Sequence, residues 1–249
     1  MEAATKDVTA VFHLGAILSH YCDKMPELMF DVNVKGTWNL KQACAHNRVK
    51  RIFYSSTSYV YGNPTQNPIN ETCPLNPKDI YGVSKLAAEK ILQATYPYEV
   101  PYTILRLFNV YGPRSYPDQY YSQAITTFVL TALQGKSIEI HDDGKQKLDF
   151  IYVKDAAEAF YDCMNQKTEN QIFNVGSGNS VSVNKVASSI NQLTGNSEAS
   201  HYNVEHIAYF QNVEANVSKI RKWVGWTPKF NLEKGLKETV EFFRNNPLE

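Results

Sequence analysis

The alternation of short apolar runs with longer amphipathic stretches is the feature that most restricts the folds open to this chain. Residues 8–14, 51–55 and 101–107 are short runs rich in β-branched and aromatic side chains, the pattern of buried parallel strands. Helical patterns lie between them, one beginning near Pro26 and one running through Tyr81. Strands and helices in this order predict a parallel sheet with right-handed crossovers and helices on its faces.

The second half of the chain continues the alternation with shorter elements. The turn Gly176-Ser177-Gly178 lies between a strand and a helix, so a phosphate-binding loop is one interpretation. Val181 occupies the position of the third glycine of G-x-G-x-x-G, which favours an ordinary strand-to-helix turn. The pattern predicts strands at 137–141, 149–153 and 172–175, and helices at 121–133, from Asp155, after a cap at Ser182, at 218–224 and at 232–244.

Composition argues against several classes of partner. The 249 residues include 25 basic and 25 acidic side chains, so no net charge favours nucleic acid or an anionic membrane. No apolar run approaches the roughly 20 residues that span a bilayer, and the N-terminus lacks the order of a signal peptide. Cys22, Cys44, Cys73 and Cys163 are widely spaced, which predicts reduced thiols in a cytoplasmic protein and no metal site.

Tyr81 and Lys85 form the first candidate site. A Tyr and a Lys four residues apart share one face of a helix. There the ammonium would lower the phenol pKa from about 10, and the phenolate could accept a proton from a sugar or alcohol hydroxyl. The spacing alone is also typical of a half-buried tyrosine beside a solvated lysine. The hydroxyl-rich segment 54–62 favours the catalytic interpretation, because a strand ending there could present a Ser or Thr beside Tyr81.

Seven segments jointly resemble the extended short-chain dehydrogenase/reductase family, the NAD-dependent epimerases and dehydratases that act on nucleotide sugars. The resemblance implies an α/β fold: an incomplete Rossmann-like, doubly wound parallel sheet with a smaller C-terminal α/β substrate lobe. Residues 1–110 would be the remainder of the dinucleotide-binding domain. Residues 111–249 would be mainly the substrate lobe, with about 149–166 returning to the Rossmann-like sheet. The segments are 12–16, 33–37, 54–62, 81–85, 105–114, 149–155 and 173–178.

One departure from the family concerns the cofactor. Family members begin with a G-x-x-G-x-x-G turn that holds the NAD pyrophosphate at a helix N-terminus. This sequence contains neither that turn nor the following residue that reads the adenosine ribose. The resemblance therefore implies an N-terminally truncated member whose sheet ends in an uncovered edge strand. A fragment, a partner-completed protein and a degenerate relative with weakened NAD binding all remain open.

The resemblance implies three catalytic residues. Tyr81 would be the general base or acid, and Lys85 would lower its pKa and bind the nicotinamide ribose. Thr57 would hydrogen-bond the reacting sugar hydroxyl, with Ser56 as the alternative if the register differs by one residue. A strand-end hydroxyl that only satisfies a nearby backbone group is the structural alternative for Thr57.

The same resemblance implies the binding residues. Asn33 falls near the cofactor, more as a structural residue than a catalytic one, and His13 is expected to pack at a strand end. Leu148 stands where relatives carry an Arg directed at the nucleotide diphosphate, which leaves Lys147 as a substitute with fewer donors. The implied NAD contacts are Leu14, Gly15, Ala16, Asn33, Ser55, Ser56, Tyr81 and Lys85, and the implied substrate contacts are Thr57, Ser58, Asn109, Arg114 and Lys147.

A nucleotide-sugar 4-epimerase is the activity that the resemblance favours. Relatives that eliminate water carry acidic residues directly after the catalytic Thr, and Ser58 and Tyr59 occupy those positions here. Reductase, decarboxylase and dehydratase relatives remain alternatives, as does a catalytically impaired scaffold that binds a ligand or partner. A homodimer through the helices at Pro26 and Tyr81 is compatible with the apolar pattern and is not required by it.

Overall fold

The computed structural model describes residues 1–19, 24–115, 124–204 and 212–247. A π-helical segment, Phe30–Lys35, joins the second helix to the third, and a 3₁₀ turn, Ser58–Tyr61, follows the second strand. The helices are α1 (Glu2–Thr5), α2 (Pro26–Met29), α3 (Gly36–His46), α4 (Ile80–Gln93), α5 (Ala124–Leu133), α6 (Val153–Met164), α7 (Val183–Thr194), α8 (Ser218–Val224) and α9 (Leu232–Asn245). The strands are β1 (Ala10–His13), β2 (Arg51–Thr57), β3 (Tyr102–Leu107), β4 (Val110–Tyr111), β5 (Glu139–His141), β6 (Lys147–Asp149), β7 (Ile151–Tyr152), β8 (Gln171–Val175), β9 (Ser180–Ser182), β10 (His201–Asn203) and β11 (Asn212–Val213).

A parallel sheet in the order β1-β2-β3-β8 is the centre of the described chain. Side chains alternate along each strand, so Tyr54 packs on one face against Leu40 of α3 and Leu92 of α4. Phe53 packs on the opposite face against Phe160 of α6. Helices therefore cover both faces, which confirms the predicted doubly wound α/β architecture. Within the described residues β1 pairs with β2 alone, and its Phe12 is 41% exposed.

A second apolar cluster lies in the C-terminal part of the chain. Helices α5, α7 and α9 contribute Val129, Ile190 and Leu236, which pack together with Tyr152 of β7. Three small sheets border this cluster in the described residues: β11-β6-β9, β10-β5 and β4-β7. Leu148 is partly buried against both apolar clusters, so it joins the two halves of the core.

The short elements differ from the sequence prediction in their pairing. The strand predicted at 149–153 is two strands, because β6 pairs with β9 and β11 whereas β7 pairs with β4. The helix expected from Asp155 begins at Val153. The predicted strand at 172–175 is the one that joins the central sheet, as β8, while α6 packs on that sheet. An apolar run indicates that a strand forms but does not indicate which partner it pairs with.

Some predictions concern parts of the chain that the structure does not describe. Residues 121–123, at the start of the helix predicted over 121–133, and Cys22 lie outside the described residues, whereas Cys44, Cys73 and Cys163 are free and buried. In the described ranges, no helix is both long and apolar enough to cross a bilayer. The same ranges contain no cluster of three or more His, Cys, Asp or Glu side chains arranged to hold a metal ion.

Candidate active site

Helix α4 carries three functional groups on its buried face at a spacing of four residues. Asp79 caps the helix, accepting a hydrogen bond from the Gly82 N–H at 2.7 Å. Tyr81, Lys85 and Glu89 follow on successive turns, with exposures of 9%, 2% and 0%. Because side chains at i and i+4 lie on the same helix face, the predicted neighbours Tyr81 and Lys85 occupy one face of α4. Glu89, one turn further, was not among the residues chosen from the sequence.

The 3₁₀ turn after β2, which Thr57 caps, packs against this helix. The Thr57 Oγ1 accepts a 3.3 Å hydrogen bond from the Tyr59 N–H, and the Tyr59 ring contacts the Tyr81 ring edge-on with centroids 5.5 Å apart. Accepting a backbone N–H leaves the Thr57 hydroxyl proton free for donation to another oxygen. The contact with the backbone is thus the structural alternative foreseen for Thr57, and it is compatible with a role toward a substrate.

Gly82 permits the close approach of α4 to the turn. A Cβ at this position would lie 2.8 Å from the Tyr59 carbonyl oxygen and 2.9 Å from the Pro77 Cβ. Both distances are shorter than normal contacts, so any larger residue would push the helix and the turn apart. The glycine that follows Tyr81 in the sequence therefore helps to set the distance between Tyr81 and the Thr57 turn.

Lys85 is an ammonium group in an apolar setting. Its Nζ lies 4.3 Å from the centroid of the Tyr54 ring, a distance suited to a cation–π contact. Burial lowers the pKa of Lys85 from 10.5 to about 7, and the charge of Glu89 partly opposes this shift. A lysine whose proton is labile near neutral pH is typical of catalytic sites.

Ser56 points to the opposite side of its strand from Thr57. Its hydroxyl is buried and donates a hydrogen bond to Glu89 Oε1, which lies on α4. Because side chains alternate along β2, a shift of one residue turns Ser56 toward the helix rather than toward the end of the sheet. The hydroxyl proton of Ser56 is thus occupied within the fold, and its roles as a cofactor contact and as the alternative to Thr57 stay predictions. Ser55 is half-buried on the same side of the strand as Thr57.

The loop after β1 is open and is anchored by Asn33. Leu14 and Gly15 are exposed and Ala16 is half-buried, and a Cβ on Gly15 would meet no atom within 4 Å. The Asn33 amide accepts from the Ile17 N–H at 2.8 Å and donates to the Ile17 carbonyl at 2.9 Å. Its remaining donor bonds Ser84 Oγ on α4, also at 2.9 Å. Asn33 therefore positions the loop, and its amide donors are occupied within the protein rather than free for a cofactor.

His13 ends β1, and its ring packs at the strand end with a hydrogen bond to another side chain of the protein, as the sequence indicated. Its Nε2 lies 2.9 Å from Thr37 Oγ1, whose own proton goes to the Asn33 carbonyl. The ring nitrogen therefore acts as the donor in this network. Burial and then the Lys85 charge lower the pKa of His13 from 6.5 to about 4, so it is neutral at physiological pH.

The predicted substrate residues are distributed over several loops. Asn109 donates from Nδ2 to the Asp149 carbonyl at 2.9 Å, so its amide ties the loop after β3 to the end of β6. Arg114 is exposed in a turn with a φ of +66°. Ser58 is buried in the 3₁₀ turn, and Lys147 is exposed on β6. Asn109, Arg114 and Lys147 lie outside α4, the helix that carries Tyr81, and their substrate roles stay predictions.

The turn Gly176-Ser177-Gly178 is filled by a carboxylate from within the protein. Asp149 accepts hydrogen bonds from the Ser177 N–H at 2.7 Å, from its hydroxyl at 2.6 Å and from the Gly178 N–H at 2.9 Å. The Ala215 N–H donates to the same carboxylate at 3.0 Å. The amides that a phosphate would need are thus occupied, which confirms the interpretation as an ordinary turn.

The carboxyl ends of β1 and β2 form the edge where ligands bind in open parallel sheets. The strands are adjacent and parallel, with His13 opposite Tyr54. Their ends therefore place the open loop at residues 14–16 near the Lys85 ammonium and the Thr57 turn. The unobstructed space beside Gly15 and a buried cation suit an extended, hydroxyl-bearing group such as a dinucleotide. The residues present fit a nicotinamide cofactor.

Comparison with known proteins gives a consistent family match. A model of the NAD dependent epimerase/dehydratase family matches residues 1–176. A UDP-N-acetyl-alpha-D-glucosaminuronate decarboxylase from Bacillus cytotoxicus is 35% identical over 248 residues, covering 94% of this chain and 76% of the relative. A UDP-glucuronate 4-epimerase from Thermodesulfobacterium geofontis is 31% identical over 249 residues, covering 97% and 74%. The solved UDP-N-acetylglucosamine 4-epimerase from Methanobrevibacter ruminantium M1, in complex with UDP-N-acetylmuramic acid, matches with a TM-score of 0.92 at 30% identity, covering 98% of this chain and 79% of that one.

Proposed function

Because this chain belongs to the NAD-dependent epimerase/dehydratase family, we propose that it acts as a 4-epimerase on a nucleotide sugar. The observation that carries the proposal is the buried Lys85 one helical turn from Tyr81, beside the turn that holds Thr57. The side chains of Tyr81 and Lys85 both lie in an interior from which water is largely excluded. Charge interactions between them are therefore stronger than they would be at the surface.

The roles of the side chains follow from this arrangement. The Lys85 ammonium favours the phenolate form of Tyr81, which then takes the proton of the sugar 4-hydroxyl. The Thr57 hydroxyl donates to the same sugar oxygen and holds it in line with Tyr81. Bound NAD would supply the hydride chemistry at C4. Tyr81 returns the proton after the sugar has turned over, so that the hydroxyl is restored on the other face.

The residues after Thr57 support epimerisation over elimination. Ser58 and Tyr59 carry hydroxyl groups, and neither can act as the carboxylic acid that removal of water from the sugar calls for. The proteins similar to this chain include a decarboxylase as well as 4-epimerases. A decarboxylase acting on a glucuronate-type sugar is therefore the alternative that the substrate panel must include.

A coupled assay tests the proposal. The full chain is incubated with added NAD and with UDP-hexoses or UDP-hexuronates, and formation of the 4-epimer is followed. Tyr81→Phe keeps the ring and loses the phenol proton, and should lower kcat by at least about 10²-fold. The matched control is Tyr161→Phe, because Tyr161 is exposed on α6. Turnover that survives Tyr81→Phe, or no turnover with any of these sugars, would contradict the proposal.

NAD binding is measured separately from turnover. A ligand that binds the native state raises the midpoint of thermal unfolding, so we expect NAD to raise it in the wild type. The shift should be smaller in Lys85→Met, which lacks the ammonium proposed to contact the ribose. A shift with NAD but no product in any assay would indicate a chain that binds its ligand without chemistry.

We further propose that two copies of the chain associate through α2 and α4. These helices contact each other, and Leu28, Ile80 and Val83 are apolar side chains that stay exposed on them. Covering such side chains in a second copy would remove them from water. Val83→Asp should therefore convert a dimer into a monomer in light scattering, while Val204→Asp, at another exposed valine, should not. A wild-type chain that is monomeric at all concentrations tested would refute this.

A further inference from the structure

A buried ion pair lies one helical turn beyond the catalytic lysine. Glu89 and Arg106 are 0% and 2% exposed, and the guanidinium binds the carboxylate in two places. Arg106 Nε donates to Glu89 Oε1 at 3.0 Å, and Nη2 donates to Oε2 at 2.8 Å. The Ser56 hydroxyl donates to Oε1 as well. The carboxylate is therefore fixed by three donors from two strands of the central sheet.

The other side of Arg106 is also fixed. Its Nη1 donates to the Tyr61 hydroxyl at 2.9 Å, and that hydroxyl donates to Asn174 Oδ1 at 2.7 Å. Asn174 in turn donates from Nδ2 to the Ile69 carbonyl at 2.9 Å. A guanidinium held on both sides cannot rotate away, so the position of Glu89 relative to α4 is determined by the sheet.

Stability alone gives little reason for such a pair. Moving two charges out of water costs about as much as their attraction returns, and well-packed apolar residues often stabilise a fold more. The pair also lies on the face of α4 that carries Tyr81 and Lys85, on the next turn of the helix. A buried negative charge at this place, besides pairing directly with Arg106, also acts on the buried positive charge of Lys85.

We propose that Glu89, held in place by Arg106, is a positioning residue that keeps the Lys85 ammonium protonated beneath Tyr81. This inference rests on the proposed function, in which the charged form of Lys85 is the one that activates Tyr81. Burial disfavours the ammonium, and Glu89 supplies the compensating charge. The Tyr54 ring supports the ammonium from β2 at 4.3 Å, so the cation is stabilised by a ring face and a carboxylate.

The groups that face Lys85 come from several elements. His13 approaches from β1, Tyr54 from β2, and Tyr81 and Glu89 lie on α4 itself. Arg106 lies behind Glu89 on β3. His13 is neutral above pH 5, so it does not change charge in the range where Lys85 titrates. Burial then disfavours the Lys85 ammonium, and Glu89 is the fixed charge that favours it.

The direct test follows the titration of Lys85 by NMR of its side-chain ε-carbon in the full chain, assigned by its loss in Lys85→Met. Glu89→Gln keeps the shape and removes the charge, leaving Arg106 as a second cation. The midpoint should fall by at least one pH unit. Glu241→Gln, at an exposed carboxylate on α9, should leave it unchanged. An unchanged midpoint in folded Glu89→Gln would overturn the proposal.

A second variant covers the case in which Glu89→Gln does not fold. Glu89→Met with Arg106→Met removes both charges and packs the space with apolar groups, a replacement that buried pairs often tolerate. The Lys85 midpoint should then lie below that of the wild type, because the nearer, negative charge has been lost. A midpoint equal to or above that of the wild type would count against Glu89 as the compensating group.

Activity measurements separate this inference from the proposed function. In Glu89→Gln the high-pH limb of the kcat/KM profile should move to lower pH, in parallel with the NMR midpoint. A midpoint that falls in a chain without turnover supports the role of Glu89 and refutes the epimerase assignment. Turnover in Glu89→Gln with an unchanged pH profile and an unchanged Lys85 midpoint would support the epimerase assignment and refute the role of Glu89.

Discussion

At the scale of single residues, the candidate site combines side chains whose burial costs stability with side chains whose contacts stabilise the fold. Lys85 is buried although its charge favours water, and His13 is a half-buried ring that is neutral at physiological pH. Thr57, by contrast, satisfies a backbone N–H at a strand end. Costly burial of an ionisable side chain is a feature of sites selected for chemistry rather than for stability.

Replacing Lys85 should therefore stabilise the protein. The folded pKa of about 7 lies below the unfolded value of 10.5, so the unfolded chain binds the proton more tightly between these pH values, and wild-type stability rises with pH across this window. Lys85→Met should raise the free energy of unfolding at pH 7 by about 1–3 kcal/mol, and the gain should shrink toward pH 10.5.

Urea unfolding at pH 7 and pH 9.5 measures this difference. Lys90→Met is the matched control, since Lys90 is exposed on the same helix and should change stability little. A Lys85→Met protein that is less stable than wild type at pH 7 would show that the cation–π contact outweighs the burial of the charge.

His13 should make the protein sensitive to acid. Its pKa is about 4 in the folded state and 6.5 when unfolded, so the unfolded chain binds more protons in this range, and stability falls as pH drops from 6.5 toward 4. At pH 5 the loss from this residue should be about 1–2 kcal/mol. His13→Gln retains a donor for Thr37 but cannot be protonated, so it should not show the loss of about 1–2 kcal/mol of stability that His13 causes at pH 5.

Comparing urea midpoints at pH 5 and pH 7.5 checks the effect. His46→Gln serves as the control because His46 is exposed on α3. If His13→Gln loses as much stability between the two pH values as the wild type does, the acid sensitivity comes from other groups.

At the scale of elements, the contact between α4 and the Thr57 turn fixes the site. Gly82 provides the space for that contact. Gly82→Ala should cost about 1–3 kcal/mol of stability through overpacking, and should reduce kcat/KM at least about tenfold by separating Tyr81 from the turn. Gly36→Ala is the control, because the nearest atom to its Cβ is a carbonyl oxygen 3.6 Å away and alanine favours a helix.

Circular dichroism melts and the epimerase assay on both variants measure the two effects. Stability lost without any change in kcat/KM would indicate that the helix shifts as a unit with the turn. In that case the spacing of the site does not depend on Gly82.

The sequence predicted the elements better than it predicted their contacts. The strand at 51–55 and the helix through Tyr81 follow from local apolar patterns, and both are found in the structure. The pairing of β6 with β9 depends on residues more than thirty positions apart, which no local pattern encodes. Ser56 and Thr57 illustrate the same limit, since a shift of one residue along a strand changes which face a hydroxyl occupies.

For the candidate site too, the sequence indicated the residues of one local motif but not the contacts between distant elements. Tyr81, Lys85 and the glycine between them stand in a short motif that a single sequence can reveal. Glu89 extends that motif by one more helical turn, and its spacing was a signal that could have identified it. Its partner Arg106 lies on a different element. Only the folded sheet brings the two together.

At the scale of the whole molecule, Leu148 connects the two apolar clusters. It packs against the apolar cluster between the central sheet and α6, and against the cluster formed by α5, α7 and α9. A side chain shared by two cores should couple their unfolding. Leu148→Ala should lower the free energy of unfolding by about 1–3 kcal/mol, less than for a fully buried leucine because Leu148 is partly exposed.

Denaturation followed by both fluorescence and far-ultraviolet circular dichroism tests this coupling. The two probes should give coincident transitions in the wild type and in Leu14→Ala, whose side chain is 59% exposed. They should separate in Leu148→Ala if its shared packing makes the transition cooperative. Coincident transitions in Leu148→Ala would place the coupling elsewhere.

The buried pair of Glu89 and Arg106 also has a consequence for how this protein can change over generations. Losing either partner alone strands an unpaired charge in the interior, so intermediates with a single replacement should be eliminated by selection. Homologous sequences should therefore retain both residues or exchange them together. Lineages in which the pair has been exchanged for apolar residues are those in which we expect Lys85 to have been lost as well.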